Sequence, residues 1–291
     1  MNYRHVYHAG NFADVLKHAV LARLIVYMRQ KEAAFRVLDT HAGTGAYDLS
    51  SEEARKTGEY RDGIEKLLAP GALSEPAKVL LAPYLDAVRA LNPDGALTTY
   101  PGSPLLARML LRKQDRLSAI ELHPADFAVL RQRFAGDHQV RVTRLDGWLS
   151  LGGHLPPKEK RGIVLVDPPF EVDGEFDRLV DGLARAHRRF ATGVYCLWYP
   201  RKAGAPVAAF HRRLQASGIR RMLFCELDIR DASEGDGLSG SGLVVVNPPF
   251  TLEDELRTIL PELVELTKRS EKAAWRLGQL VCEDGTTPGA H

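Results

Sequence analysis

The chain has few of the features that staple or anchor a protein. Its three cysteines, Cys196, Cys225 and Cys282, are widely spaced and include no Cys-x-x-Cys pair. That excludes a disulfide framework, supplies no zinc-ligand spacing, and predicts reduced thiols and no metal. No apolar run approaches the roughly 20 residues needed to cross a bilayer. A signal-peptide pattern is lacking, as is any repeat of solenoid length. The expectation is a cytoplasmic protein without a membrane partner. One further absence is local: from Gly182 to Cys225 there is no Asp or Glu, while Arg185, Arg188, Arg189, Arg201, Lys202, Arg212, Arg213, Arg220 and Arg221 fall there. With an overall charge of +2, the rest of the chain is therefore left at −7. Segregated cations of this kind suit a polyanion, because clustered Lys and Arg supply most of the affinity for a phosphate backbone. A basic solvated surface with no partner is the alternative. What is present, 291 residues at 45% hydrophobic and 26% charged, supports a sizeable core in one large α/β domain with an insertion, or in two small domains.

The chemistry is expected at Arg161-Gly-Ile-Val-Leu-Val-Asp-Pro-Pro-Phe170. An apolar β-branched run bounded by Gly and Pro reads as a buried strand of a parallel sheet. Asp167 then stands at its carboxyl end, where open α/β sheets place ligands. The prolines stiffen the loop and fix the direction of the Pro168 carbonyl. Asp167 and Pro168 thus form a rigid acceptor pair for the exocyclic amine of a planar base, with Phe170 to stack on the ring. Asp-Pro-Pro followed by an aromatic resembles the amine-directed methyltransferases that use S-adenosylmethionine. A stiff strand-to-helix turn is the competing reading. A looser copy, Asn247-Pro-Pro-Phe250, is expected to be a strand-terminating turn at the far edge of the sheet.

Other strands fall into order around this loop. Asn11 is a candidate N-cap for a helix with a wide apolar stripe ending near Gln30. An aromatic and basic arm precedes it, where Tyr3, Arg4, His5, Tyr7 and His8 could contact unpaired bases and phosphates or pack as a strap. The first strand, ending at Asp39, runs into a loop in which Gly43 and Gly45 allow close approach to a ligand. Residues 48–95 read as a helical insertion, separating 1–47 from 96–291. Ser103 reads as an N-cap with Pro104 at the first helical position. Glu121 ends the second strand, placed for both ribose hydroxyls of a nucleoside, and Asp146 and Gly147 end the third, placed for an adenine. Trp198 and Tyr199 end the fifth strand and are read as facing the pocket, or else as core. The segment from Asp231 to Gly242 reads as a mobile loop. A last helix is expected over about Leu252 to Arg269 and further. Seven strands alternating with helices, with motifs in this order, predict a Rossmann-like class I methyltransferase fold: a seven-stranded, mostly parallel sheet with an inserted small helical subdomain.

The motifs His8-Ala-Gly-Asn-x-Ala-Asp-Val-Leu-Lys-His18, Asp39-Thr-His-Ala-Gly-x-Gly45, Thr57-Gly-Glu-Tyr60, Tyr100-Pro-Gly-Ser-Pro104, Glu121-Leu-His-Pro124, Leu197-Trp-Tyr-Pro200 and Asn247-Pro-Pro249 together resemble the RlmJ family of bacterial 23S ribosomal RNA adenine-N6 methyltransferases. The resemblance runs from Tyr3 to about Phe250. It implies S-adenosylmethionine as cofactor and 23S ribosomal RNA as partner. It further implies that His18, His41, Ser103, Glu121, Asp146 and Gly147 contact the cofactor. By the same resemblance Asp167 serves substrate and cofactor and accepts the proton, and Tyr3 touches the RNA. The family more often has Tyr at the position of Phe170, which keeps the stacking and drops the hydroxyl. Because unpairing a base costs a few kcal/mol, free or partly assembled RNA is the expected substrate, acted on by a monomer. The other readings are a DNA adenine-N6 or guanine-N2 methyltransferase, a non-catalytic RNA-binding protein and a nicotinamide-dependent oxidoreductase. The last of these has no use for Asp-Pro-Pro-Phe.

Overall fold

Asn11 begins the first helix as the sequence indicates, its side chain accepting from the amides of Ala13 and Asp14. The helix, α1 (Phe12–Met28), is buried on nearly every side. In the computed structural model, which describes residues 5–287, the elements then run in the order β1 (Arg36–Asp39), β2 (Ala46–Asp48), α2 (Glu52–Thr57), α3 (Ile64–Leu68), α4 (Glu75–Ala90), β3 (Thr99–Pro101) and α5 (Ser103–Leu110). They continue as β4 (Arg116–Glu121), α6 (Pro124–Arg133), β5 (Val140–Arg144), α7 (Gly147–Gly153), β6 (Gly162–Val166), α8 (Glu175–Arg189) and β7 (Val194–Arg201). The last are α9 (Val207–Gln215), β8 (Met222–Asp228), β9 (Gly240–Val246), α10 (Leu252–Thr267) and β10 (Ala274–Val281). Tyr3 and Arg4 lie outside the described residues.

Eight strands form the main sheet in the order β10-β8-β9-β7-β6-β1-β4-β5, and β2 pairs with β3 in a separate ribbon. Pairing is parallel from β7 across β6, β1 and β4 to β5, and antiparallel among β7, β9, β8 and β10. The sequence reading of seven strands misses β10, where Trp275 and Leu277 alternate with polar residues and pack toward α10 on an edge strand. Such a half-covered edge carries only a weak period-two signal, and the segment reads instead as more helix. The segment from Asp231 to Gly242 also has structure: a 3-10 turn at Ala232–Glu234 closed by a capping box, with β9 beginning at Gly240. β9 lies between β8 and β7 rather than at the edge of the sheet, and it runs against them. Asn247 is therefore delivered to the end of the sheet opposite Asp167. There its side chain donates to the carbonyls of Ala191 and Gly193, both at 2.8 Å.

Each face of the sheet has its own apolar core. Helices α1, α4, α5 and α10 cover one, with α4 of the segment 48–95 packed on α1 and α10. Helices α7, α8 and α9 cover the other. The entirely buried β6 runs down the middle. Its carboxyl end, with those of β1, β4 and β5, lines up the acids that follow.

Candidate active site

A cavity of about 820 Å³ opens at the carboxyl ends of these strands, lined among others by His18, His41, Gly43, Ser103, Glu121, Asp146, Gly147, Asp167, Pro168 and Phe170. This is within the usual range for a pocket that engulfs a drug-sized ligand. The chain folds this way locally for identifiable reasons. Gly43 has φ +59°, and a Cβ there would sit 2.4 Å from the Tyr47 hydroxyl. Gly147 is squeezed differently: a Cβ would lie 2.3 Å from the Thr40 carbonyl and 2.7 Å from His41 Nε2. Both glycines keep the cavity wall at backbone level.

Glu121 is held rigidly, Oε2 accepting from the Gly43 amide at 2.9 Å and Oε1 from the His123 amide at 2.7 Å. Burial raises its pKa against those two bonds. Asp146 caps α7 through Oδ1, bonded to the amide of Trp148 at 2.7 Å. Its other oxygen lies 3.9 Å from Arg178, which itself lies over the Trp148 ring. Ser103 is the first residue of α5 and not its cap, a place taken by Gly102. Its hydroxyl turns instead to Asp39, at 2.6 Å.

Two histidines face the cavity as neutral rings. Desolvation lowers His18 to about 3 and His41 to about 4. Thr40 spends its one hydroxyl proton on the Leu165 carbonyl, so the 2.8 Å contact between Thr40 Oγ1 and His41 Nδ1 needs the proton on Nδ1. His41 Nε2 is left a bare acceptor. His18 Nδ1 bonds the Tyr100 hydroxyl at 2.7 Å, while its buried Nε2 has no protein partner among the described residues.

Asp167 is where the sequence reading is incomplete. Lys17 of α1, 150 positions away, donates to Asp167 Oδ2 at 2.5 Å and pairs with Asp14 Oδ1 at 2.8 Å. Burial opposes the Lys17 charge, yet Asp14 and Asp167 hold its pKa well above normal. Asp14 accepts in turn from the Gly10 amide and pairs with His5 at 2.9 Å. Burial alone would raise Asp14, and His5 and Lys17 bring it well below the usual carboxylate range. A lysine three residues after an acid, inside an apolar helix, is the only local signal of this relay. Phe170, at φ +52°, packs edge-on against Phe176 and Trp198. Trp198 lines the cavity, but Tyr199 does not. Strand alternation sends it to the other face, bonded to Glu226 at 2.9 Å and His211 at 3.0 Å.

The donor set suits S-adenosylmethionine. It combines a carboxylate fixed beside a glycine loop, two neutral imidazoles and a glycine-lined cradle. Nine carboxylates line the cavity against Lys17, Arg178 and Lys202, so the field favours a cationic sulfonium. A glycine loop, acids closing successive strands and an Asp-Pro-Pro-Phe acceptor loop on this sheet define a class I methyltransferase. A family model described as "Ribosomal RNA large subunit methyltransferase D, RlmJ" matches residues 32–279, and the chain belongs to that family. Its cofactor is S-adenosylmethionine. The chain is 44% identical to "Ribosomal RNA large subunit methyltransferase J" of Escherichia coli, over 90% of this chain and 92% of that protein. Identity to the Haemophilus influenzae protein of the same name is 43%, over 94% and 97%. Among solved structures, the Legionella pneumophila protein LPL1258 is similar at TM-score 0.82 and 32% identity, covering 94% of this chain and 98% of that one.

Proposed function

We propose that the chain methylates the N6 amine of one adenine in 23S ribosomal RNA, as a cytoplasmic monomer without a metal, on free or partly assembled RNA. We also propose that residues 48–95 are an insertion in a methyltransferase domain formed by 1–47 and 96–291. The observation that carries the reaction is Asp167, fixed by Lys17 at the end of the central strand, beside two prolines and an aromatic ring in the cavity. Glu121 takes the ribose hydroxyls of the cofactor, and Asp146 and Gly147 meet its adenine. Gly43, Ser103, His18 and His41 complete that side. The bound cofactor supplies an electrophilic methyl group on a sulfonium.

The amine of adenine is a poor nucleophile because its lone pair is delocalised into the ring. Asp167 and the Pro168 carbonyl each accept one of its N–H groups, which favours the pyramidal nitrogen and aims its lone pair. Phe170 stacks on the base. On receiving the methyl group that the sulfonium would supply, with a neutral thioether left behind, the amine would shed one proton, and Asp167 is the residue that takes it. A weak base suffices, since a methylated, positively charged exocyclic nitrogen is far more acidic than a carboxylic acid. Lys17 holds the Asp167 carboxylate in place until that moment. Tyr3, by the family resemblance, and Arg4, by the basic and aromatic character of the segment it belongs to, contact the RNA.

The test is methyl transfer from radiolabelled S-adenosylmethionine to protein-free 23S RNA, beside Asp167→Ala and a duplex DNA control, with nucleoside analysis. Label appearing as N6-methyladenosine in RNA alone, and lost in the variant, is the expected result. Label in DNA or on guanine N2 would replace the substrate assignment. RNA binding without transfer would make the protein a binding module.

A further inference from the structure

The basic segment does not surround the cavity. Of its nine cations only Arg201 and Lys202 lie at the carboxyl ends of the strands, and Arg201 is consumed by ion pairs to Glu226 and Asp228. Most of the others cluster toward the amino ends of β7 and β8, where α8 and α9 finish, while Arg213 is drawn to Asp177 and Asp181 in the first half of α8. They are joined there by cations from loops far apart in sequence. Arg29 follows α1, Lys113 precedes β4 and Lys160 precedes β6, and all three are exposed, as are Arg188, Arg212 and Arg220. Among the described residues none of these six forms an ion pair.

Cations also gather at such ends to neutralise helix carboxyl termini. At α1 that task is done by other residues, Arg112 bonding the carbonyls of Arg29, Lys31 and Ala33 and Arg161 that of Met28, whereas Arg188 and Arg212 stand in the last turns of α8 and α9 themselves. Among the described residues all six still lack an ion-paired carboxylate, although Arg220 has Asp284 within electrostatic reach. The length of β6 and of α8 separates them from Asp167 by roughly 20 Å. The cavity, with nine carboxylates against three cations, repels the phosphates that flank any nucleotide entering it. A polyanionic substrate needs its grip elsewhere.

We propose that this amino-end rim is a second RNA surface, holding backbone phosphates of a segment remote from the target adenosine while the acidic mouth receives the extruded base. The proposal rests on the RNA reading above and adds where the RNA is held. It is tested by comparing Arg188→Glu/Arg212→Glu/Arg220→Glu with the wild type for binding of two RNAs: a long 23S domain transcript and a short stem-loop carrying the target. Unchanged affinity for S-adenosylhomocysteine by calorimetry, together with an Arg→Gln version of the triple variant, checks the fold. The long transcript should bind at least about 10-fold more weakly, with a salt slope shallower by about 2 to 3, one for each lost phosphate contact. The stem-loop should be unaffected. Equal loss on both RNAs, loss on neither, or binding of anionic vesicles in place of the transcript would overturn the proposal. Methylation of the stem-loop by the wild type, measured in parallel, tests the reading of the active site separately.

Discussion

At the scale of the residue, Lys17 and Asp39 make the site's electrostatics measurable. Lys17→Met leaves Asp167 without its buried partner. Breaking such a pair costs about 3 kcal/mol or more of stability. Denaturant unfolding should show that loss, and transfer by the folded variant should fall about 100-fold or more. Retention of affinity for S-adenosylhomocysteine within a few-fold would place the defect at the acceptor loop. Asp39 is pushed up to about 7, chiefly by burial, with the bond from Ser103 opposing and the Asp167 charge assisting. Unfolded, it titrates near 4. Between about pH 4 and 7 the folded chain therefore binds more protons at this site, and its contribution to stability falls as pH rises. His18 and His41, lowered by desolvation, act with the opposite sign below about 6.5. The difference between wild type and Asp39→Asn isolates the aspartate: the variant should gain stability relative to wild type from pH 5 to pH 7. A constant difference between the two would contradict this assignment. Lys17 itself was not legible in the sequence. Helical spacing shows that it follows Asp14 by three, but only the fold brings Asp167 to it.

At the scale of the element, the two Pro-Pro-Phe turns are a natural control. β6 and β9 both end in the same pattern, and their opposite directions decide which turn reaches the cavity. Asn247→Ala removes two bonds to Ala191 and Gly193 at a position with φ +53°. It should destabilise by about 1–3 kcal/mol and leave transfer per folded molecule unchanged. Asp167→Ala should abolish transfer per folded molecule, whatever it costs in stability by breaking the pair with Lys17, and equal effects on turnover from both variants would contradict the assignment. The parallel half of the sheet was legible because each strand ends in a short motif whose chemistry needs a strand end: Asp39 before the glycines, Glu121, Asp146 and Asp167. The antiparallel half was less so. β9 carries no mark of its direction, and β10, half exposed, has a pattern too weak to separate it from the helix before it.

At the scale of the molecule, charge is polarised along the strands. Binding of RNA should weaken by tenfold or more between 50 and 200 mM salt, values typical of polyanion contacts, while binding of S-adenosylhomocysteine by the buried carboxylates and imidazoles should change little. Parallel titrations check both, and equal salt sensitivity would contradict the separation. Sequence order revealed that the cations cluster but not at which end of the sheet, since neighbours in a loop carry no record of strand direction.

The position of α1 has one more consequence, for synthesis. It leaves the ribosome first among the elements it packs on, which are α4, α5, β6, β9 and α10. At ordinary translation rates the wait lasts on the order of tens of seconds. Until β6 emerges, Lys17 has only Asp14, three residues before it in the same helix, as a partner. The catalytic pair can form only once the strand carrying Asp167 has emerged, so a growing chain bears no active site before more than half of its sequence has been made.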